Sequence, residues 1–388
     1  MILFFWLLVL LLVFPLVLYP ISLWLISKFY PSNDVELSKS FEPEIAVIIS
    51  AYNEELIIEK KLDNILECTY PKNKIRILVA SDGSNDKTND IVLNFAKKHS
   101  DFDIKLVDVP GRGGKTLAQN YVVNNFCDGL DVLVFTDANS MLRSDALKYL
   151  INRFKSDSVG YVSGQLQYCN STESNTSESE STYWNFDLKL REWESAIGST
   201  VGGNGALYAI RRDSYVNLPA LLSHDGFMPT KVVLQGKTAK FEPLAVAVEK
   251  AGAVTGDEFK RKVRMQRGQP WKKYYDYKKF NFFKYGWFSY FYIGHKYLKY
   301  QLYVLHPTLF IVNYLIYSES VFYLLAFIGQ VVFYLLALVG FITESKGKLF
   351  YYPYYYCMTV YAQLIAVKNT LTGKTSVTWE SIESTRVE

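Results

Sequence analysis

Metal-cluster and disulfide chemistry have little to work with in this sequence, whose 388 residues include 4 cysteines and 4 histidines. Cys68, Cys127, Cys169 and Cys357 lie far apart and form no CxxC or Cys/His pair at metal-site spacing, so reduced thiols are the simplest reading. A strong net charge is also missing. The 42 Lys and Arg against 38 Asp and Glu leave a formal charge of +4. No nucleic-acid motif accompanies that excess, so it suits anionic lipid and substrate phosphate better than DNA or RNA. Residues 1–27 lack any charged side chain. Without a basic n-region or a small-x-small cleavage site this is not the pattern of a signal peptide, and the run exceeds the roughly 20 apolar residues that cross a bilayer. It reads as a retained membrane anchor.

Apolar and aromatic residues, by contrast, are abundant: 49% hydrophobic and 16% aromatic, with a mean hydropathy of +0.03. That balance fits a chain that is part soluble domain and part membrane protein. Residues 302–317, 320–343 and 349–367 offer two to three further spans, the last one rich in tyrosine. Lys346 and Lys348 follow the second of these, which puts residues 28–301 and the 344–348 loop on the cytoplasmic side. Residues 278–300 interleave aromatics with lysines, as in a helix lying on a membrane surface. Residues 170–182 read as a polar loop; its two Asn-x-Ser/Thr sites would stay unmodified in a cytoplasmic domain. The expected layout is an anchor over 1–30, a globular domain over 40–270, an interfacial region over 271–301, spans over 302–367 and a tail over 368–388.

Between these regions, apolar strands alternate with helix-period segments. Strands are expected at 45–49, 75–80, 103–107 and 131–136, each followed by a helix; the first helix presents Ile57, Ile58, Leu62, Ile65 and Leu66. Strands apolar almost throughout, alternating with helices, imply an α/β fold with a mostly parallel sheet covered on both faces. Ligands in such sheets bind beyond the carboxyl ends of the strands, where Tyr52, Asn53, Glu54 and Glu55, then Asp82, then Asp137 and Asn139 are found. Asp86 and Thr88 are as well explained by a turn and helix cap. A carboxylate at the lip of a core, as at Asp137, needs a metal, a basic side chain or water to meet it.

Seven stretches occur together in order: SAYNEE (50–55), SDGSNDKT (81–88), GRGGKTLAQN (111–120), FTDANS (135–140), VGGNGALYAIRR (201–212), HDGFMP (224–229) and EFKRKVRMQRG (258–268). This set resembles the membrane-bound, inverting family 2 glycosyltransferases, which include the synthases of cellulose, hyaluronan and poly-N-acetylglucosamine. The resemblance implies a GT-A fold, Rossmann-like, and a nucleotide-diphosphate sugar donor, most often a UDP-sugar. It further implies that Ala51, Tyr52 and Glu54 line the nucleotide pocket, that Asp82 holds the base, and that Lys115 meets the donor. Asp137 and Asn139 would hold Mg2+ or Mn2+, while Gly203, Asn204 and Gly205 face the acceptor and Asp225 is the catalytic base. His224 stands where the family usually has an acid.

The residue chemistry is compatible with these roles. Mg2+ is commonly held by one or two carboxylates plus phosphate oxygens and water, so Asp137 with a weaker ligand at Asn139 suffices. Arg261 and Arg264, at i and i+3 in a basic run, suit a grip on donor phosphate, with a solvated helix facing headgroups as the alternative. The processive synthases have Gln-x-x-Arg-Trp near here. This chain has Gln266-Arg267-Gly268-Gln269-Pro270-Trp271 and lacks the Arg before Trp271, the acceptor-stacking position. Three readings follow: an inner-membrane enzyme, multi-pass with a cytoplasmic domain, that extends a polysaccharide or glycan alongside export or biosynthesis partners; a non-processive transferase adding one sugar to a lipid carrier; and an inactive nucleotide-binding scaffold. Retention of Asp82, Asp137 and Asp225 together argues against the third.

Overall fold

The structure, a computed structural model, describes residues 1–30, 41–169, 175–250, 255–266, 276–345 and 347–378. The chain opens with helices α1 (Ile2–Val13) and α2 (Tyr19–Ser27), joined by a π turn at Phe14–Leu18. An alternating succession follows: β1 (Ile45–Ala51), α3 (Ile58–Leu66), β2 (Ile75–Ser81), α4 (Thr88–Lys98), β3 (Asp103–Asp108), α5 (Lys115–Phe126), β4 (Val132–Asp137), β5 (Met141–Leu142), α6 (Ala146–Asn152), β6 (Val159–Tyr168), α7 (Asn175–Ile197), β7 (Leu207–Arg211), α8 (His224–Leu234) and β8 (Thr238–Glu249). Then come α9 (Thr255–Met265), α10 (Phe282–Tyr285), α11 (Trp287–Phe291), α12 (Leu302–Ile316), α13 (Val321–Thr343) and α14 (Lys348–Leu371).

Two compact units result. The sheet unit comprises Ile26–Ala253, Tyr277–Ser289 and Ser376–Glu388. Its sheet has eight strands in the order β3-β2-β1-β4-β7-β6-β8-β5. The first four are parallel, β7 runs antiparallel between β4 and β6, and β6 is parallel to β8. The four expected strands therefore match observed ones, and the sheet is a mostly parallel α/β arrangement with an antiparallel insertion. All seven residues of β1 are buried, as expected of a strand covered on both faces. Register puts Ser50 opposite Asp137 and Ala51 opposite Ser81, so the ends of β1, β2 and β4 finish level at one edge.

The helical unit comprises Met1–Leu25, Val254–Asp276 and Tyr290–Thr375. Phe5 and Leu8 of α1 pack into an apolar cluster with Leu305, Leu309, Val312 and Ile316 of α12. Gly340 lets α13 approach α14 so closely that a Cβ there would meet the Phe350 backbone, the small-residue device of helix pairs in lipid. Among the described residues, two helical stretches are long and apolar enough to cross a membrane, Ile2–Ser27 and Val321–Thr343.

Two local expectations need correction. The polar segment 170–182 is helical from Asn175 onward, because it contains no Gly or Pro to break a helix that continues through Ile197. Residues 278–300 do not form one continuous helix: α10 stops at Gly286, and α11 begins after it and runs on into a π-helical stretch at Tyr292–Tyr297. The Asn281 side chain caps α10, accepting from the Lys284 N–H at 3.1 Å. One turn later Gly286 takes a φ of +51°, open to glycine at little cost, and ends it.

Candidate active site

The level strand ends are laced together by the loops that follow them. After β1, the Asn53 N–H donates to Ser84 Oγ at 3.2 Å and the Asn53 amide oxygen accepts from the Asn85 N–H at 2.9 Å. The Glu54 N–H donates to Thr88 Oγ1 at 2.8 Å. Asp86 accepts from the Thr88 N–H at 3.0 Å, a local side-chain-to-backbone turn just ahead of α4. Ala51 closes the row, its carbonyl accepting from the Asp82 N–H at 3.0 Å. The Tyr52 ring lies under the Arg112 guanidinium, 3.7 Å from the ring centroid, a cation–π pair at the entrance of the glycine-rich loop.

Asp82 is fully buried, and its two carboxylate oxygens accept from the Gly113 and Gly114 N–H groups, each at 3.0 Å. Burial raises its pKa, while those two N–H groups and Arg112 work to lower it. The carboxylate thus shapes the glycine-rich loop directly. Gly114 carries a φ of +88° and caps α5, and a Cβ there would run into the Val377 carbonyl; glycine is required on both counts.

Lys115, first residue of α5, donates from Nζ to Asp137 Oδ1 at the end of β4. The basic side chain that Asp137 needs is therefore present, and both groups are only partly buried. Asn139 is half-buried beyond it. Across from this pair lies the loop 203–205. A Cβ on Gly205 would sit 3.0 Å from Lys115 Nζ and 3.1 Å from Asp137 Oδ2, so the bare glycine leaves that carboxylate oxygen uncovered. Two residues earlier the Gly203 N–H donates to the Asp225 carbonyl at 2.9 Å. The loop thereby connects the Asp137 and Asp225 corners. Asn204 between them is buried, its amide spent on the Gly164 carbonyl (2.7 Å) and the Leu207 N–H (3.2 Å).

Gly203 has no room for a side chain. A Cβ would collide with the hydroxyl of Tyr161, whose ring carbon Cζ would be 3.0 Å away. The Gly203→Ala substitution is expected to cost about 1–3 kcal/mol by overpacking and to lower the melting temperature. Adding Tyr161→Phe should restore part of the loss, and equal melting curves for Gly203→Ala and wild type would refute the close approach.

Asp225 occupies the first turn of α8, half-buried. Its neighbour His224 is buried in a polar network: Nδ1 lies 2.7 Å from Gln119 Oε1, and Nε2 is 3.0 Å from Asn120 Oδ1 and 2.9 Å from the Tyr215 hydroxyl. Burial, with the nearby Lys115 charge, pulls its pKa down to about 3, so the imidazole is neutral. It is neither an incidental loop histidine nor a second acid beside Asp225. With Phe135, Tyr208 and Tyr215 it forms a ring stack that seats the start of α8.

Not every residue expected at the site belongs to the sheet unit. Arg261 and Arg264 are on α9 in the helical unit, where Arg261 pairs with buried Glu258 (Nε to Oε2, 2.7 Å). Trp271 lies outside the described residues. Groups that the sequence pattern did not single out include Arg112, the Gln119/Asn120 amides and Lys61. The first two stand inside one motif, GRGGKTLAQN, whose polar residues on an otherwise packed helix are the available signal.

One carboxylate with an uncovered oxygen and a nearby neutral amide make a hard-oxygen donor set that fits Mg2+ or Mn2+, ions that take most remaining ligands from phosphate and water. Among the described residues no cluster of three or more His, Cys, Asp or Glu could hold a metal by itself.

Comparisons with known proteins bear on the family and the fold. Residues 46–218 match Glycosyl transferase family 2. The chain is 26% identical over 240 residues to the "Probable glycosyltransferase YdaM" of Bacillus subtilis (strain 168), covering 58% of this chain and 55% of that protein. It is 25% identical over 271 residues to the poly-beta-1,6-N-acetyl-D-glucosamine synthase of Staphylococcus aureus (strain COL), covering 65% of this chain and 64% of that one. The chain therefore spans less than two thirds of the length of these curated relatives. Among solved structures, mannosyltransferase PcManGT from Pyrobaculum calidifontis, in complex with GDP-Man and Mn2+, superposes with a TM-score of 0.65 at 22% identity, over 92% of this chain and 95% of that one. That likeness is one of fold. The match to Glycosyl transferase family 2 thus falls on residues 46–218 of a chain whose fold is of the Rossmann-like GT-A type.

Proposed function

We propose that this chain is a membrane glycosyltransferase that moves a sugar, with inversion, from a nucleotide-diphosphate sugar to a growing polysaccharide or glycan acceptor. The observation behind this reading is the 203–205 loop, which ties the Asp137 corner to the Asp225 corner through two glycines. Leaving-group stabilisation and acceptor deprotonation are thereby held by one short element. Relatives named as a poly-N-acetylglucosamine synthase and a GDP-Man-bound mannosyltransferase support the donor class.

In this reading the loops after β1 and β2, with Tyr52 under Arg112, form the nucleotide wall. A Mg2+ or Mn2+ held by Asp137 and Asn139 would supply positive charge against the leaving diphosphate. Lys115 adds a second cation there and holds Asp137 in place. Asp225 accepts the proton of the acceptor hydroxyl, and the neutral His224 keeps α8 seated without competing for that proton. Inversion follows because a base on the acceptor side assists a single displacement.

The Ile2–Ser27 and Val321–Thr343 helices support placement in a cell membrane; this reading further puts the sheet unit on the cytoplasmic side, where nucleotide sugars are found. Purified protein in lipid, supplied with radiolabelled UDP- and GDP-sugars and Mg2+ or Mn2+, is expected to release the nucleoside diphosphate from one donor. Absence of release with every donor would sink the proposal in favour of a scaffold. Long product ladders would identify a polymerase, and a single added sugar a carrier transferase.

A further inference from the structure

Behind the 137–140 turn lies a lysine that the proposed chemistry does not use. Lys61 on α3 is fully buried. Its Nζ donates to Thr136 Oγ1 at 2.9 Å and to the Ser140 carbonyl, one acceptor on each side of Asp137 and Asn139. Thr136 Oγ1 in turn donates to the Ala206 carbonyl at 2.7 Å, beside Gly205. The turn is closed by the Ser140 N–H on the Asp137 carbonyl at 3.2 Å, and the Ser140 hydroxyl donates to Glu249 at the end of β8.

Both acceptors of the Lys61 amine are neutral oxygens in a fully buried site, where desolvation disfavours its charged form. Desolvation pulls the Lys61 pKa down to about 7, against Cys68, Asp137 and Glu249. Fastening α3 to this segment does not require a charge. One turn further along α3, Asn64 holds Leu142 through two hydrogen bonds (2.8 and 2.7 Å) with a neutral amide. What the lysine adds is reach from a helix beneath the sheet end to both flanks of one four-residue turn.

We propose that Lys61 is a positioning residue for the divalent-cation site, clamping Thr136 and Ser140 so that Asp137 and Asn139 leave the turn in the directions that ligation requires. The proposal rests on the nucleotide-sugar reading above, because the cation is expected to bind together with a diphosphate. Outer groups that orient metal ligands typically govern affinity by about 10- to 100-fold.

The test is Mn2+ binding to the full chain in detergent with UDP or GDP, read from the electron paramagnetic resonance signal of the free ion. Wild type, Lys61→Met and Thr136→Val are compared, the last removing one acceptor while leaving the lysine in place. Melting temperature and nucleotide affinity in chelator serve as controls. Expected is Mn2+ affinity weaker by about 10-fold or more in Lys61→Met, and weaker in Thr136→Val, with nucleotide affinity in chelator unchanged. Wild-type Mn2+ affinity in folded Lys61→Met overturns the proposal, and so does wild-type affinity in Thr136→Val if Lys61→Met does not fold. A wild-type chain that binds no Mn2+ with either nucleotide overturns both this proposal and the reading beneath it.

Discussion

Asp225→Asn is expected to slow sugar transfer by about a hundred- to ten-thousandfold, the usual contribution of a positioned general base, while nucleotide binding stays at the wild-type level. The substitution changes one oxygen to an amide nitrogen and leaves the backbone contacts of residue 225 in place. Its carbonyl accepts from the Gly203 N–H at 2.9 Å and from the Tyr161 hydroxyl at 3.5 Å, so the first turn of α8 is anchored independently of the side chain. Among the described residues, neither His224 nor Tyr161 is suited to take over the proton. His224 has both ring nitrogens engaged and is held neutral by burial. The Tyr161 phenol is pushed well above its ordinary pKa by burial and by Asp225, and stays protonated. Nucleotide release rates beside calorimetric nucleotide affinity give the required split. Turnover at the wild-type rate in the variant would remove Asp225 from the base role.

β1, β2 and β4 were legible because a strand buried on both faces has no polar face to show, and β1 and β4 read as continuous apolar runs; β3, at the sheet edge, shows instead the mixed polar and apolar pattern of a half-buried strand. Their ends were legible for the complementary reason, since Asp82 and Asp137 interrupt such runs abruptly. The later strands were not. β6 contains Gly160, Ser163, Gly164 and Gln165, and β8 contains Lys240, Glu242 and Pro243, so neither shows a clean period. Gly164 is explained only by tertiary structure, where a Cβ would crowd Leu207 on β7. Lys61 was missed because lysine on an amphipathic helix is normally assigned to solvent. Its position gave the opposite signal: it follows Ile58 by three residues and precedes Ile65 by four, which puts it on the buried face. A charged residue on that face was the clue to the clamp behind the turn.

At the turn itself, Asp137→Ala is expected to lower metal-dependent transfer by roughly three orders of magnitude, corresponding to about 4 kcal/mol of lost charge stabilisation. Asn139→Asp should remain within about tenfold of wild type, since a carboxylate supplies the same hard oxygen that the amide does. The asymmetry comes from what each residue holds. Asp137 anchors Lys115 and presents its second oxygen toward the bare face of Gly205. Its removal therefore takes away a charge at the metal and frees the neighbouring cation. Asn139 is a neutral amide that holds no cation, so its change to Asp removes no ion pair and adds a charge that attracts Mg2+ or Mn2+. Steady-state rates across a metal titration, with circular dichroism to verify folding, distinguish the two effects. Full activity in Asp137→Ala would mean that Lys115 alone neutralises the leaving group. An inactive but folded Asn139→Asp would assign the amide a donated hydrogen bond, to a sugar hydroxyl or metal-bound water, that no carboxylate can make.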